Sequence, residues 1–149
     1  NAGVSGLIIP DLPLEEAYEF SKIVSMHSMD LILLVAPTTP FERMKEISNN
    51  TKGFTYLVSV TGVTGERSKM ENRVENLIAK LKEINSKPIA VGFGISTPEH
   101  VNKVREWGAD GVIIGSAFVK RISSSSEENV VNEVGNFCKE MRLAADQRK

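Results

Sequence analysis

The stretch IAVGFGISTPEHVNKVREWGADGVIIGSA, Ile89–Ala117, decides the fold of this chain. Two apolar runs, Ile89–Gly92 and Val112–Gly115, flank a segment that opens at Thr97-Pro98 and closes at Gly108. Threonine followed by proline indicates a helix start, and glycine indicates a helix end. Short apolar runs without period-2 alternation are typical of strands in a parallel sheet. The stretch therefore predicts a strand, a helix and a second strand joined by a right-handed crossover.

The same alternation runs along the rest of the chain. The predicted strands are Leu7–Pro10, Leu31–Ala36, Phe54–Val60, Ile89–Gly92 and Val112–Gly115. Thr39 and Glu42 have the spacing of a capping box and predict a helix start, with Pro40 in its first position. The last predicted helix has an apolar stripe that is expected to face the core. We predict that Cys138 lies on this apolar face and is therefore buried in the core. The stripe consists of Val130, Val131, Val134, Phe137 and Met141.

Composition predicts one globular domain, residues 1–149, and excludes several classes of function. The net charge of −1, without a basic stripe, argues against nucleic-acid binding. The single cysteine excludes an internal disulfide and makes a cysteine-based metal site implausible, so we predict no metal. No apolar run approaches the roughly 20 residues that span a bilayer. Without a visible targeting segment, we expect a cytoplasmic protein, or a chloroplast protein if the source is a plant.

The first residues suggest that the chain starts in the middle of a fold. Ala2–Ile9 repeats the pattern of Trp107–Ile114, in which Gly108 ends a helix before the next strand. A helix is therefore expected before Gly3 as well. Because the chain begins at Asn1 rather than at methionine, we expect N-terminal units that this sequence does not contain.

Five strand–helix units fit two architectures. A doubly wound, flavodoxin-like sheet has five strands at about this length. A (β/α)8 barrel has eight strands and typically about 250 residues. Length favours the first, whereas the expected missing start and the glycine motifs favour the second.

Glycine-bearing strand ends predict a phosphate site. Gly92–Ser96 and Ile114–Ala117 end consecutive strands, and the second precedes a short predicted helix, Ala117–Ile122. Barrels commonly bind phosphate after their seventh and eighth strands, at the N-terminus of a short extra helix. Glycine allows phosphate to approach backbone N–H groups, and the helix start adds unpaired donors. A third glycine turn, Thr61–Gly65, follows another predicted strand and is expected to close over the same phosphate.

These motifs together resemble the tryptophan synthase alpha family. The matching segments are Gly6–Pro13, Phe54–Ser59 with Gly62–Gly65, Gly92–Ser96 and Gly115–Ala117. They cover essentially the whole chain, in the family's order and spacing, and align its strands with the family's fourth to eighth. The resemblance implies a (β/α)8 TIM barrel of the ribulose-phosphate-binding type, with its N-terminal units missing. The sequence of Trp107–Gly111 most resembles that of plant-type members of the family.

The resemblance implies a lyase that cleaves indole-3-glycerol phosphate into indole and glyceraldehyde 3-phosphate in tryptophan biosynthesis. The family takes its essential glutamate and aspartate from early strands, so no catalytic residue is assigned here and the 149 residues alone are expected to be inactive. By resemblance, Gly65, Gly94, Gly115 and Ser116 bind the substrate phosphate. Tyr56, Phe93 and Ile8 line the indole pocket, and Thr64 belongs to a lid.

The resemblance also implies a protein partner. Asp11 is the one carboxylate at a predicted strand end. By resemblance, Asp11 and Pro13 are expected to face a tryptophan synthase beta subunit. The loop Pro37–Pro40 is expected on the same face. No cofactor is expected in this chain, since pyridoxal phosphate belongs to the beta subunit.

Three alternatives stay open. A standalone lyase would release free indole without a partner. A phosphate-binding isomerase or decarboxylase would share the scaffold, but such enzymes usually carry a lysine or aspartate at strand ends, where only Asp11 is visible. A truncated, non-catalytic chain would bind only phosphate ligands or a partner.

Overall fold

The structure, a computed structural model, describes residues 2–58, 67–92 and 94–146, with the side chains of 67–72 excluded. Parallel strands and helices alternate through these ranges. The strands are β1 (Gly6–Ile8), β2 (Asp30–Ile32), β3 (Leu34–Val35), β4 (Thr55–Val58), β5 (Ile89–Gly92) and β6 (Gly111–Ile113). The helices are α1 (Leu14–Met26), α2 (Phe41–Asn50), α3 (Arg67–Ile84), α4 (Pro98–Glu106), α5 (Ser116–Ser124) and α6 (Val130–Asp146).

The order of the strands decides between the two architectures. β1 pairs with β2, and β3, β4, β5 and β6 follow one another in a second sheet, with every pair parallel. Each strand in the described ranges therefore pairs only with a neighbour in the sequence. A doubly wound sheet reverses its order at a switch point, whereas a barrel adds every strand beside the last one. The barrel prediction is confirmed, and the flavodoxin-like alternative is wrong.

One predicted strand, Leu31–Ala36, is divided into β2 and β3 at Leu33. The Leu33 N–H donates to Thr51 Oγ1 over 2.9 Å instead of to a strand. The Thr51 hydroxyl in turn donates to Phe54 O over 2.7 Å, and Tyr56 N donates to Leu33 O over 3.1 Å. Thr51 thus satisfies the backbone where the sheet changes pairing partners.

The two faces of the sheet differ in burial. Val35, Leu57 and Val91 alternate onto one face and are fully buried against the helices. Ile8, on the opposite face, is 42% exposed. Side chains two residues apart share a face, so the strands present one dry face and one open face.

The predicted side-chain cap is confirmed for α4, whereas α2 begins at Phe41, one residue after the predicted Pro40, without its predicted cap. Thr97 Oγ1 accepts from His100 N over 3.4 Å, and Gly108 ends α4 with a left-handed φ of 95°. The Thr39–Glu42 capping box is wrong. Thr39 Oγ1 accepts from Ala36 N over 2.9 Å, because it closes the preceding turn, and α2 has no side-chain cap.

The placement of Cys138 in the core is also wrong, since this cysteine is exposed. Phe137, Met141 and Ala144 form the buried stripe of α6 at i, i+4 and i+7 spacing. Cys138 lies one position, or about 100°, around the helix from Phe137 and faces outward. Val131, 79% exposed, falls outside the stripe for the same reason.

The substitution Thr51→Val should destabilise the chain by about 1–3 kcal/mol. It keeps the side-chain shape but leaves Leu33 N–H and Phe54 C=O without their buried partner. Urea unfolding measures the change, and Thr38→Val at an exposed loop position is the matched control. Equal effects of the two substitutions would show that the Thr51 hydroxyl does not stabilise the break in the sheet.

Candidate functional site

Two glycine loops leave the sheet side by side at its carboxyl edge. Gly92 pairs with Ile113 at the end of the parallel register between β5 and β6. Two residues later, the chain reaches Gly94 on one strand and Gly115 on the other. Because parallel strands end at the same edge, the register brings these two predicted phosphate-binding glycines together.

The start of α5 offers unpaired backbone donors beside an open space. Phe118 N and Val119 N both donate to Gly115 O, over 2.9 and 3.2 Å. Among the described residues, none accepts a hydrogen bond from the N–H of Ser116 or Ala117. A Cβ added at Gly115 would meet no atom of the described residues within 4 Å. The exposed N-terminus of this helix has the donors and the dipole direction that suit an anion.

Gly94 contributes an unusual backbone conformation to the same edge. Its φ of 75° lies in the left-handed region, which residues with a Cβ rarely adopt. Gly94 is exposed, while the next residue, Ile95, is buried in the core. The buried side chain of Ile95 therefore holds the loop against the core, while Gly94 lies at the surface.

The open face of the sheet carries a buried aromatic ring. Tyr56 lies over Gly92, where an added Cβ would overlap the phenol ring. Burial raises the pKa of Tyr56, which keeps the phenol neutral. Ile8 pairs with Ile32, and Leu34 pairs with Tyr56. Ile32 and Leu34 therefore lie between Ile8 and Tyr56 on this face. Ile8 and Tyr56 thus share the open face, about two strand spacings or roughly 10 Å apart.

The other predicted residues at this edge are Gly65, Thr64 and Phe93, and they lie outside the described residues. The short helix predicted as Ala117–Ile122 is present and slightly longer, as α5. Asp11 lies three residues after the end of β1, and it is exposed.

An ion pair links the two helices that follow the loops predicted to meet a partner. Pro13 is exposed and precedes α1, and Pro40 is exposed and precedes α2. Arg43 donates from two nitrogens to the two carboxylate oxygens of Glu15, over 2.7 and 3.0 Å. The two-point geometry fixes the spacing of these helix starts. The hydrogen bonds from Arg43 lower the pKa of Glu15 to about 2.

Sequence reasoning missed this ion pair and a second contact, from Ser96 N–H to His100 Nδ1 over 3.3 Å. Glu15 and Arg43 are 28 positions apart, and no periodicity reports such a pair. The His100 contact had a local signal, because Thr97 and His100 have the spacing of a capping box.

Within the described part of the chain, no three His, Cys, Asp or Glu side chains form a group that fits a metal ion. No helix there has the length and apolar character required to cross a bilayer.

Comparison with known proteins agrees with this geometry. The sequence model of the family described as "Tryptophan synthase alpha chain" matches residues 1–146. This chain belongs to the tryptophan synthase alpha chain family. A tryptophan synthase alpha chain from Prochlorococcus marinus subsp. pastoris is 82% identical over 97% of this chain and 52% of that protein. One from Cyanothece sp. is 51% identical over 96% and 54%.

Solved structures give the same result for the fold. Tryptophan synthase subunit alpha from Campylobacter jejuni is 34% identical, with a TM-score of 0.78 over 89% of this chain and 53% of that one. A chain of the tryptophan synthase complex from Pyrococcus furiosus is 35% identical, with a TM-score of 0.79 over 95% and 55%.

The chain spans about half the length of the curated alpha chains that it matches. The two curated alpha chains, from Prochlorococcus marinus and Cyanothece sp., are cyanobacterial, so they support neither the plant-type subdivision nor a chloroplast location.

The Glu15–Arg43 pair predicts an acid-sensitive contact. In Arg43→Gln the pKa of Glu15 should rise from about 2 towards 4.5, because the hydrogen bonds that favour the carboxylate are lost. The folded-state pKa lies below the unfolded value, so the contact stabilises the fold above pH 4.5 and is lost as the pH falls towards about 2. A carbon-detected NMR titration of Glu15 measures the shift.

Lys45→Gln is the control for that titration, since Lys45 pairs with Glu42 rather than with Glu15. A Glu15 titration that is the same in Arg43→Gln and in the unmodified chain would show that the ion pair does not form in solution.

Proposed function

We propose that residues 1–149 form the phosphate-binding and indole-binding part of an indole-3-glycerol-phosphate lyase. The observation that carries the proposal is the pairing of Gly92 with Ile113, which brings Gly94 and the open start of α5 to one edge. Membership of the tryptophan synthase alpha chain family supports indole-3-glycerol phosphate as the substrate. We treat the 149 residues as one structural unit within that enzyme.

In this proposal the substrate phosphate binds at the glycine loops. Gly94 and Gly115 allow its oxygens to approach the backbone, and Ser116 contributes its N–H and its hydroxyl. Gly65 is proposed to close over the phosphate, with Thr64 in the lid. No lysine is required, because the donors are backbone groups at a helix N-terminus.

The indole ring is proposed to lie on the open face of the sheet. Tyr56 and Ile8 form two walls, and Phe93 a third. Tyr56 stays neutral because its pKa is raised by burial, so it offers an uncharged surface to the ring.

The cleavage itself is a retro-aldol reaction. A base removes the proton of the glycerol hydroxyl, the bond between that carbon and indole C3 breaks, and an acid protonates C3. The products are indole and glyceraldehyde 3-phosphate. Carboxylates of tuned pKa suit both steps. Asp11, exposed at the edge of the site, is not proposed for either step, and the acid–base pair is expected from the family's early strands.

A complete barrel tests this function. Residues 1–149 are joined to the portion of the Prochlorococcus marinus relative that precedes the match, and indole release from indole-3-glycerol phosphate is measured. In this chimera, Gly115→Val should raise the KM by about tenfold or more, because the side chain fills the space of the phosphate. Stability should change by less than about 0.5 kcal/mol, since the added side chain starts in open space.

Lys120→Ala, on the same helix, is the control and should leave the KM unchanged, because the site is built from backbone donors. A chimera that releases no indole would contradict the lyase assignment. A KM that Gly115→Val leaves unchanged would remove Gly115 from the phosphate site.

We further propose that the carboxyl edge docks on a tryptophan synthase beta subunit, which carries the pyridoxal phosphate. The Pyrococcus furiosus neighbour is named as part of a tryptophan synthase complex. Asp11 and Pro13 are exposed in the first loop, and Thr38 and Pro40 in the second. Proline stiffens both loops, and the Glu15–Arg43 ion pair links the helices that follow them, so the loops lose little entropy on docking.

Mixing the chimera with a beta subunit tests the partnership. Complex formation should accelerate indole production, and Pro13→Asp should remove most of that gain by introducing a desolvated charge at the interface. The lyase rate without the beta subunit should stay unchanged in Pro13→Asp. A chimera that turns over rapidly alone and forms no complex would instead identify the standalone lyase.

A further inference from the structure

His100 lies in the first turn of α4, where it forms a two-way link with the preceding loop. Its backbone N–H donates to Thr97 Oγ1 over 3.4 Å, and its Nδ1 accepts from Ser96 N–H over 3.3 Å. The Ser96 hydroxyl lies 3.5 Å from the same nitrogen. The arrangement resembles a capping box, except that the imidazole accepts from Ser96 N–H, one residue before the N-cap Thr97, where a glutamate or glutamine would accept from the N–H of the cap itself.

The link reaches the loop that carries Gly94. Ser96 follows Gly94 by two residues, and the intervening Ile95 is buried in the core. The short segment is therefore held twice, by an apolar anchor at Ile95 and by a hydrogen bond at Ser96 N–H. Gly94, with its left-handed φ of 75°, projects from this fixed base.

The chemistry of imidazole suits this position. Nδ1 accepts a hydrogen bond only when it is unprotonated, in the neutral tautomer with its hydrogen on Nε2. A glutamate in the same role would add a negative charge close to a site that receives phosphate. A neutral acceptor holds the Ser96 N–H without repelling the anion.

We propose that His100 is a positioning residue for phosphate binding, which it promotes by fixing the Gly94–Ser96 loop. This inference rests on the proposed function, because it requires phosphate at Gly94. His100 makes no contact with substrate in this role. It preorganises the backbone donors, so its loss weakens ground-state and transition-state binding alike.

The test compares His100→Leu with His100→Gln in the chimeric barrel. His100→Leu should raise the KM for indole-3-glycerol phosphate and the inhibition constant of inorganic phosphate by roughly fivefold to tenfold, the size expected for loss of a capping hydrogen bond. The kcat should change by less than about twofold, because uniform binding is lost. His100→Gln should restore both constants, since its amide oxygen accepts from the same N–H.

His27→Leu is the matched control, because His27 is an exposed histidine at the far end of α1. The proposal is overturned if His100→Leu lowers the free energy of unfolding in urea but has the same phosphate inhibition constant as His27→Leu. His100 would then act only as a helix cap. A His100→Gln variant as weak as His100→Leu would also overturn it.

The two proposals fail separately. If Gly115→Val leaves the phosphate inhibition constant unchanged, the phosphate site is misplaced and the role of His100 falls with it. If Gly115→Val weakens phosphate and His100→Leu does not, the lyase site stands and the positioning role alone is wrong.

Discussion

The parallel register between β5 and β6 is the constraint on which the rest of the site depends. Gly92 opposite Ile113 places Gly94 and Gly115 each two residues beyond a paired position, at the same edge of the sheet, and the described residues leave open space beside Gly115. A shift by one residue would exchange the faces of the strand and turn Val91 out of the core. The dry face of the sheet therefore fixes the register, and the register fixes the phosphate site.

The two faces of the sheet differ in packing because side chains alternate along each strand. Val35, Leu57 and Val91 are fully buried against the helices, so that face tolerates little change in volume. On the opposite face, the small residues Ala90 and Gly92 lie beside the ring of Tyr56. Tyr56 occupies the space that the missing side chain of Gly92 leaves open. Gly92 is therefore required by packing, whereas Gly115 faces open space and is required only if a ligand approaches its backbone.

Several polar side chains stabilise irregular segments of the fold by completing backbone hydrogen bonds. Thr51 bridges Leu33 and Phe54 where the strand pairing changes. Lys87 donates to three backbone carbonyls near the end of α2, each over 2.8 Å, and burial lowers its pKa. His100 accepts from Ser96. Each of these groups replaces a bond that a regular helix or strand would have made, so the irregular segments stay well defined.

The sequence by itself determined the five strand–helix units, the glycine turns and the family, because apolar runs, helical spacing and special backbone positions are local properties. Ile89–Gly92, Thr97 and Gly108 appear as expected for that reason. Only the tertiary structure decided the order of the strands and the break at Leu33. It also decided that Cys138 is exposed and that Glu15 and Arg43 form an ion pair. These features depend on residues distant in the sequence and on the angle at which each helix meets the sheet, and no local pattern specifies either of them.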